Sequence, residues 1–340
     1  MTTIALDVMG GDFAPDDVLK GAAWISLDTD INVIIVGDEQ LISKRLSELE
    51  YNPEHVSVYH ATQRVNMDEH PKEAIDKKPD SSILVAARLV EDGKADAIVS
   101  AGNTGASILA CAKTFKKLPG VSKAALAAVY PTELRRGEKN DPFSLILDVG
   151  ATLNVTAQDL FAFGVMGSAY ARIVSKNPDP KVALLSNGVE EIKGREEIVA
   201  AYGMLKQCNC MYFIGNIEGV DIPKGTADVV VCNGFDGNIV LKMLEGVSET
   251  MIRLARYAYK QHIAWKLGLF MLKGAISQLK QITDWEQYGG APVLGFDHLF
   301  IKAHGRSRAR ATSNAIKVAA KAVRGKLIEQ IVSTMQAHVK

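Results

Sequence analysis

The sequence offers little for covalent or nucleotide chemistry. Its 340 residues hold four cysteines, Cys111, Cys208, Cys210 and Cys232. Cys208 and Cys210 form a CxC, not the CxxC of zinc or dithiol redox sites. Cys111 and Cys232 lie in apolar segments that bury inert thiols. No GxGxxG follows a strand-like run and no GxxxxGK[ST] occurs, so dinucleotide and P-loop binding lack their fingerprints. "GASIL" (105–109) is not a GxSxG nucleophile elbow, and no glycine turn pairs a cysteine with a histidine base, which argues against a covalent enzyme intermediate. Formal net charge is zero, so no global field recruits nucleic acid. No stretch approaches ~20 uninterrupted apolar residues, the length of a membrane span. The first residues enter a strand-like run without a basic n-region, and a cytoplasmic location is expected.

What the sequence has is a strand–turn–helix rhythm. The runs "TIALDV" (3–8), "NVIIVG" (32–37), "ADAIVS" (95–100), "SLILDV" (144–149), "KVALLS" (181–186) and "DVVVCN" (228–233) are apolar on both faces. Strands covered by helices on two sides read this way. Helical segments follow, among them 106–117, 157–175 and 237–261. The alternation predicts an α/β fold, three-layer αβα with a largely parallel sheet, in a single domain spanning 1–340.

Five predicted strand ends carry a glycine turn with polar groups: "DVMGGDFAPDD" (7–17), "SAGNTGAS" (100–107), "DVGATLN" (148–154), "SNGVEEIKG" (186–194) and "CNGFDGN" (232–238). In open parallel sheets ligands bind outside the carboxyl ends of the strands. Glycine admits close backbone approach, and free amides at a helix start favour an anion. One shared site is expected. The residues Asn103, Thr104, Asn187, Lys193, Asn233 and Asn238 suit a small oxyanion and a developing negative charge. If the bound anion is itself the nucleophile, the protein need only position and neutralise it. Asp7, Asp12, Glu190, Glu191 and Asp236 are spread over three loops; no metal or other cofactor is expected, with divalent-ion assistance left open.

Residues 253–280 hold six Lys or Arg and no Asp or Glu, around the apolar centre "IAWKLGLFML" (263–272). That centre is too short to span a bilayer. A hairpin over 239–283, turning at Gly268, would present Trp265, Leu267, Leu269, Phe270 and Leu272 to an anionic membrane surface. A dimer interface or core helix is the alternative. Arg306, Arg308 and Arg310 form a second basic stretch, either a docking surface for an acidic partner or a solvated helix face.

The motifs "ALDVMGGDFAPDDVLKGA", "SAGNTGA", "SNGVEEIKG", "FIGNIEGVDI" (213–222), "NGFDGNIVLK" (233–242) and "YGGAPVLG" (288–295) occur in this order. Over about residues 2–325 the chain resembles the bacterial phosphate acyltransferases of phospholipid synthesis, the PlsX family. The resemblance implies transfer of a fatty acyl group from acyl-[acyl carrier protein] to inorganic phosphate. It also implies a fold similar to isopropylmalate dehydrogenase and phosphotransacetylase, a homodimer, peripheral association with the inner face of the cell membrane, and a glycerol-3-phosphate acyltransferase acting downstream.

Carried over motif by motif, the resemblance makes Lys193 and Asn238 catalytic or phosphate-binding. Asn103, Thr104 and Gly105 become an amide and hydroxyl cradle, and Asp7, Gly10, Gly11 and Asp12 the first active-site loop. Asn187, Gly188, Glu191, Asn233, Gly234, Asp236, Gly237 and His304 complete the expected substrate contacts. Lys193 would hold phosphate while Asn238, with Asn103, donates to the thioester carbonyl oxygen. Two stretches depart from the family pattern. Thr152 stands where asparagine is usual, and 303–317 carries more arginine than usual. The competing readings are a short-chain phosphotransacetylase, an isopropylmalate-type dehydrogenase and a non-catalytic membrane scaffold.

Overall fold

The computed structural model describes residues 1–136, 141–261, 268, 271–272, 274 and 289–338. In chain order the first half gives β1 (Thr2–Asp7), α1 (Asp16–Asp28), β2 (Ile31–Gly37), α2 (Glu39–Leu46), β3 (Val56–His60), α3 (Pro71–Lys77), α4 (Ser82–Glu91), β4 (Ala97–Ser100) and α5 (Thr104–Thr114). Then follow β5 (Ala125–Arg136), β6 (Asp141–Leu147), α6 (Ala157–Ile173), β7 (Lys181–Leu185), α7 (Glu196–Gln207), β8 (Tyr212–Ile217), α8 (Asp221–Lys224), β9 (Val229–Val231) and α9 (Gly234–Gln261). The last elements are β10 (Ala291–Leu294), β11 (Leu299–Lys302), α10 (Ala309–Arg324) and α11 (Leu327–His338).

Among the described residues the strands form one eleven-stranded sheet, in the order β3-β2-β1-β4-β11-β10-β5-β6-β9-β7-β8. Strand residues alternate between two cores. Ile4 and Leu6 face α1, α6, α10 and α11, while Ala5 and Ile98 face α3, α4, α5 and the inner side of α9. Both faces are covered, which is why the strands read as unbroken apolar runs.

The two halves of the sheet are each parallel, but they run in opposite directions. The joins β11–β10, β10–β5 and β5–β6 are antiparallel, and three reversals invert the second half relative to the first. The five glycine loops therefore do not leave from one edge. Those after β1 and β4 leave from one edge, and those after β6, β7 and β9 from the other. This corrects the expectation of five equivalent strand ends. Its physical origin is the pairing of β5, β10 and β11, whose partners are set by contacts distant in sequence.

Residues 262–267, 269–270, 273 and 275–288 lie outside the described residues, so the expected hairpin is described only along α9 and at a few positions beyond it. Among the described residues no helix is long and apolar enough to cross a membrane.

Candidate active site

The first polar cluster sits where β1, β4 and β11 end side by side. Register places Asp7 beside Ser100 and Ser100 beside Lys302, in one row on one face. Asp7 is buried, and its two carboxylate oxygens accept from the Ser82 hydroxyl at 2.6 Å and the Ser100 hydroxyl at 2.7 Å. Burial nonetheless pushes its pKa above the usual carboxylate value. Lys302, 6% exposed, donates from Nζ to the Ala303 carbonyl. Burial draws its pKa down to about 7.

Glycine makes this cluster compact. A Cβ on Gly10 would lie 2.7 Å from the Gly102 Cα, and Gly11 has φ 112°, a backbone region that favours glycine. The Asp12 amide donates to the Gly305 carbonyl at 2.8 Å and ties the β1 loop to the β11 loop. Asp12 itself is exposed. His304 Nδ1 accepts from the Arg306 amide at 3.1 Å, so the ring closes its own turn. Loss of water around the ring, with Lys302 nearby, lowers its pKa.

Asn103 caps α5. Its Oδ1 accepts from the Ala106 amide at 3.0 Å, while Nδ2 donates to the Met67 and Glu69 carbonyls at 3.1 and 3.0 Å. Both amide protons are thus taken by backbone, which corrects the expectation that Asn103 donates to a substrate carbonyl. Thr104, the first residue of α5, is exposed, and Gly105 lies against Pro71.

The second cluster gathers the loops after β6, β9 and β7. Asp148 is fully buried and accepts from the amides of Leu126 at 2.8 Å, Gly150 at 3.1 Å, Ala151 at 3.0 Å and Thr152 at 2.6 Å. It is a structural knot that folds this loop. The Thr152 hydroxyl donates to the Ala124 carbonyl at 2.8 Å and so works within the fold.

Asn233 caps α9, accepting from the Asp236 amide at 2.8 Å and donating to the Asp236 carboxylate at 2.6 Å. Gly234 and Gly237 let α9 start against the Asp148 loop, since a Cβ would meet Asp148 Oδ2 at 2.6 Å or the Asp148 carbonyl oxygen at 1.9 Å. Asn238 Nδ2 donates to the Val149 carbonyl at 2.9 Å. An amide nitrogen has a second proton, and among the described residues it meets no acceptor.

Lys193 is exposed, and its stem lies over buried Gly188, where a Cβ would come 2.9 Å from Lys193 Cγ. Among the described residues its ammonium has no partner. The loop is pinned from β8, where Asn216 Nδ2 donates to the Glu190 carbonyl at 2.8 Å. Glu191 instead pairs with Lys206 and accepts from the Tyr202 hydroxyl at 3.2 Å, both on α7. Asn187 is exposed, accepting from the Ser186 hydroxyl at 3.4 Å. An ion pair between Arg195 and Asp236 joins this loop to the start of α9.

Residues 2–330 match the family described as "Fatty acid synthesis protein". A phosphate acyltransferase of Nitratidesulfovibrio vulgaris (strain DP4) is 39% identical over 337 residues, 99% of this chain and 96% of that protein. The chain belongs to this family. A phosphate acyltransferase of Desulfitobacterium hafniense (strain Y51) is 42% identical over 332 residues, 97% of this chain and 96% of that one. The fold is shared with a phosphotransacetylase from Streptococcus pyogenes, at a TM-score of 0.63 and 18% identity, covering 95% of this chain and 94% of that one. Family and relatives together make the chain an acyltransferase, with phosphate the acceptor that the relatives' name specifies.

Within this family fold the expected residues divide between the two clusters. Asp7, Gly10, Gly11, Asp12, Asn103, Thr104, Gly105 and His304 lie with the first. Asn187, Gly188, Lys193, Glu191, Asn233, Gly234, Asp236, Gly237 and Asn238 belong to the loops of the second. Both clusters adjoin the same core, since Lys302 follows the parity of Phe300 and the loops of the second cluster place Val149 and Cys232 in that core. By register they stand three strands apart, on the order of 15 Å. The inner side of α9 packs on this core, and Lys242 and Glu245 on that helix act electrostatically on His304.

Sequence reading passed over Lys302, Asp148, Arg195 and Asn216. Lys302 sits at the end of an apolar run, and only a charge in so apolar a stretch could have marked it. Of the five acids spread over the loops, three are engaged by protein groups, Asp7 by serines, Asp236 by Asn233 and Arg195, and Glu191 by Lys206. Glu91, Asp297 and His298 gather elsewhere, beside the start of β11, with His298 Nε2 at 3.2 Å from Glu91. Cys111 and Cys232 are buried, which raises both thiol pKa values. Cys208 and Cys210 are joined as a disulfide. Of the expected membrane residues, Trp265, Leu267, Leu269 and Phe270 lie outside the described residues, while Leu272 is 56% exposed.

Proposed function

We propose that the chain transfers a fatty acyl group from acyl-[acyl carrier protein] to inorganic phosphate, giving acyl phosphate for phospholipid synthesis. The observation that carries this reading is the second cluster. Lys193, a lysine with no partner among the described residues, and Asn238, an amide with a proton that meets no acceptor among them, lie on two segments tied by Arg195 and Asp236. Both free thiols are buried with raised pKa values, which disfavours a thiolate nucleophile.

In this mechanism Lys193 neutralises the phosphate dianion and turns one oxygen towards the thioester carbonyl. That oxygen forms the new C–O bond as the C–S bond breaks, and the electron pair leaves on the carrier's thiolate. Asn238 holds its position through the Val149 carbonyl and donates its second proton to the carbonyl oxygen as charge develops. One such donor contributes about 3 kcal/mol to the transition state.

The chain works as a homodimer on the cytoplasmic side of the membrane, handing acyl phosphate to a glycerol-3-phosphate acyltransferase. Support for the dimer comes from α9, where Phe235, Ile239, Met243, Val247, Met251 and Leu254 are all exposed along one helix. A second copy would bury this ribbon, and the basic segment at 253–280 would meet anionic lipid. Arg306 would meet the acidic carrier, whereas Arg308 pairs with Asp17 and stacks over Phe13.

The test is an assay with purified protein, long-chain acyl carrier protein and phosphate, detecting acyl phosphate and free carrier thiol. Production of both in equal amounts is expected. Activity on acetyl-coenzyme A alone would instead favour the short-chain phosphotransacetylase reading, and an acylated cysteine or serine trapped during turnover would end the direct-attack mechanism.

A further inference from the structure

Lys302 is a charged side chain that neither the family motifs nor the mechanism above uses. It ends β11, near the middle of the sheet, and is 6% exposed. Among the described residues the Ala303 carbonyl is the one acceptor its ammonium meets, and no carboxylate lies within ion-pair distance. Asp7 stands two strands away in the same row, about 10 Å backbone to backbone. Its oxygens are taken by Ser82 and Ser100. A buried ammonium with one partner is costly unless something else satisfies it. The surrounding loops contribute glycine rather than bulk at Gly10, Gly11, Gly102 and Gly305, and the Ser307 hydroxyl in the adjoining turn is buried without a hydrogen-bond partner.

We propose that Lys302 is an anion-binding residue of this enzyme, its ammonium held at the end of β11 for a negatively charged oxygen of the phosphate that the reaction consumes. The inference rests on the acyl-transfer reading for the identity of the anion. The binding itself can be measured without acyl donor. Lys302, with an ordinary value near 10.5, is drawn by burial to about 7, so binding a dianion restores its proton. The carboxylates acting on it are Asp7 on β1 and Asp12 in the loop after β1. His304 in its own loop feels the Lys302 charge, and Arg306, Lys242 and Glu245 act on that ring in turn.

The test compares wild type with Lys302→Met and Lys302→Arg in the full chain. Titration with inorganic phosphate alone, followed by calorimetry in two buffers of different ionisation enthalpy, should show proton uptake in wild type at pH 8. Lys302→Met should weaken phosphate binding at least tenfold and abolish the uptake. In turnover it should raise the KM for phosphate by the same factor and leave the KM for the acyl thioester within twofold. Lys302→Arg should restore most of the affinity. A folded Lys302→Met with wild-type phosphate affinity overturns the proposal. If that variant does not fold, wild type binding phosphate without proton uptake overturns it equally. Wild type that binds phosphate with uptake but forms no acyl phosphate would sink the acyl-transfer reading and leave Lys302 as an anion site.

Discussion

Arg195, at the N-cap of α7, reaches Asp236 in the first turn of α9, with Nη2 3.2 Å from Oδ1. The pair spans the two segments on which the proposed catalytic groups ride. Both side chains are at least a third exposed, so the pair contributes only about 0–1 kcal/mol to stability. Its role is geometric. Arg195→Met should lower the rate of acyl phosphate formation several-fold while moving the melting temperature little, and Arg195→Lys should recover part of the rate. Equal rates in wild type and Arg195→Met would show that the two segments hold their places without the pair.

Lys193→Ala removes an exposed ammonium that has no partner among the described residues. The fold should stand, with an unchanged circular dichroism melt, because a strand-end loop adds little to the core. Phosphate-dependent turnover should fall by on the order of a hundredfold or more, the loss expected when charge stabilisation at the reacting group is deleted. Near-normal turnover would remove the assignment.

Asn103→Ala separates a cap from a catalyst. Loss of the Ala106 hydrogen bond alone costs about 1 kcal/mol, and the 67–69 turn loses its tether. Asn103→Asp keeps the cap acceptor but not the two donors, so its stability should fall between wild type and alanine. Denaturant melts measure this. A rate lost in Asn103→Ala without any loss of stability would return Asn103 to the chemistry.

Two glycines make a matched test of packing. Gly237→Ala would put a methyl 1.9 Å from the Asp148 carbonyl oxygen, and backbone cannot yield by that much. Soluble protein should be lost, or α9 displaced. Gly203 lies in α7 with open space around it. Gly203→Ala should raise stability by about 0.5–1 kcal/mol, the helix propensity difference.

The buried row predicts opposite pH dependences. The Lys302 pKa is lowered in the fold, so between about 7 and its ordinary 10.5 the unfolded chain binds more protons. Wild type should therefore gain stability relative to Lys302→Met as pH rises through that window. Asp7 has a raised pKa, so its contribution is fully present below about 3.8 and is lost as pH climbs through the folded value. Asp7→Asn should flatten that acid limb. Melts of the three proteins across pH decide both.

Much of the candidate site was legible because its signals are local. A glycine turn after an apolar run, an amide before a helix, and a lysine in such a turn are each read within ten residues. The roles of those residues were less legible. Asn103 and Asn233 look alike as ligands and as caps, since a cap also presents an amide at a helix start, and only the positions of Ala106 and Asp236 decide. Lys302 was hidden because a strand run reports apolarity, not which neighbouring strand supplies an acceptor.

By itself the chain's pattern of apolar runs and turns determined that a covered, largely parallel sheet would form, since burial on both faces demands apolar residues without a break. Its motif order determined the family. Which edge each loop leaves from was decided only in three dimensions, when β10, β5 and β6 paired antiparallel and turned half the sheet over. Strand direction depends on partners distant in sequence, as Leu126 with Val293, 167 residues away, and no local signal carries that information.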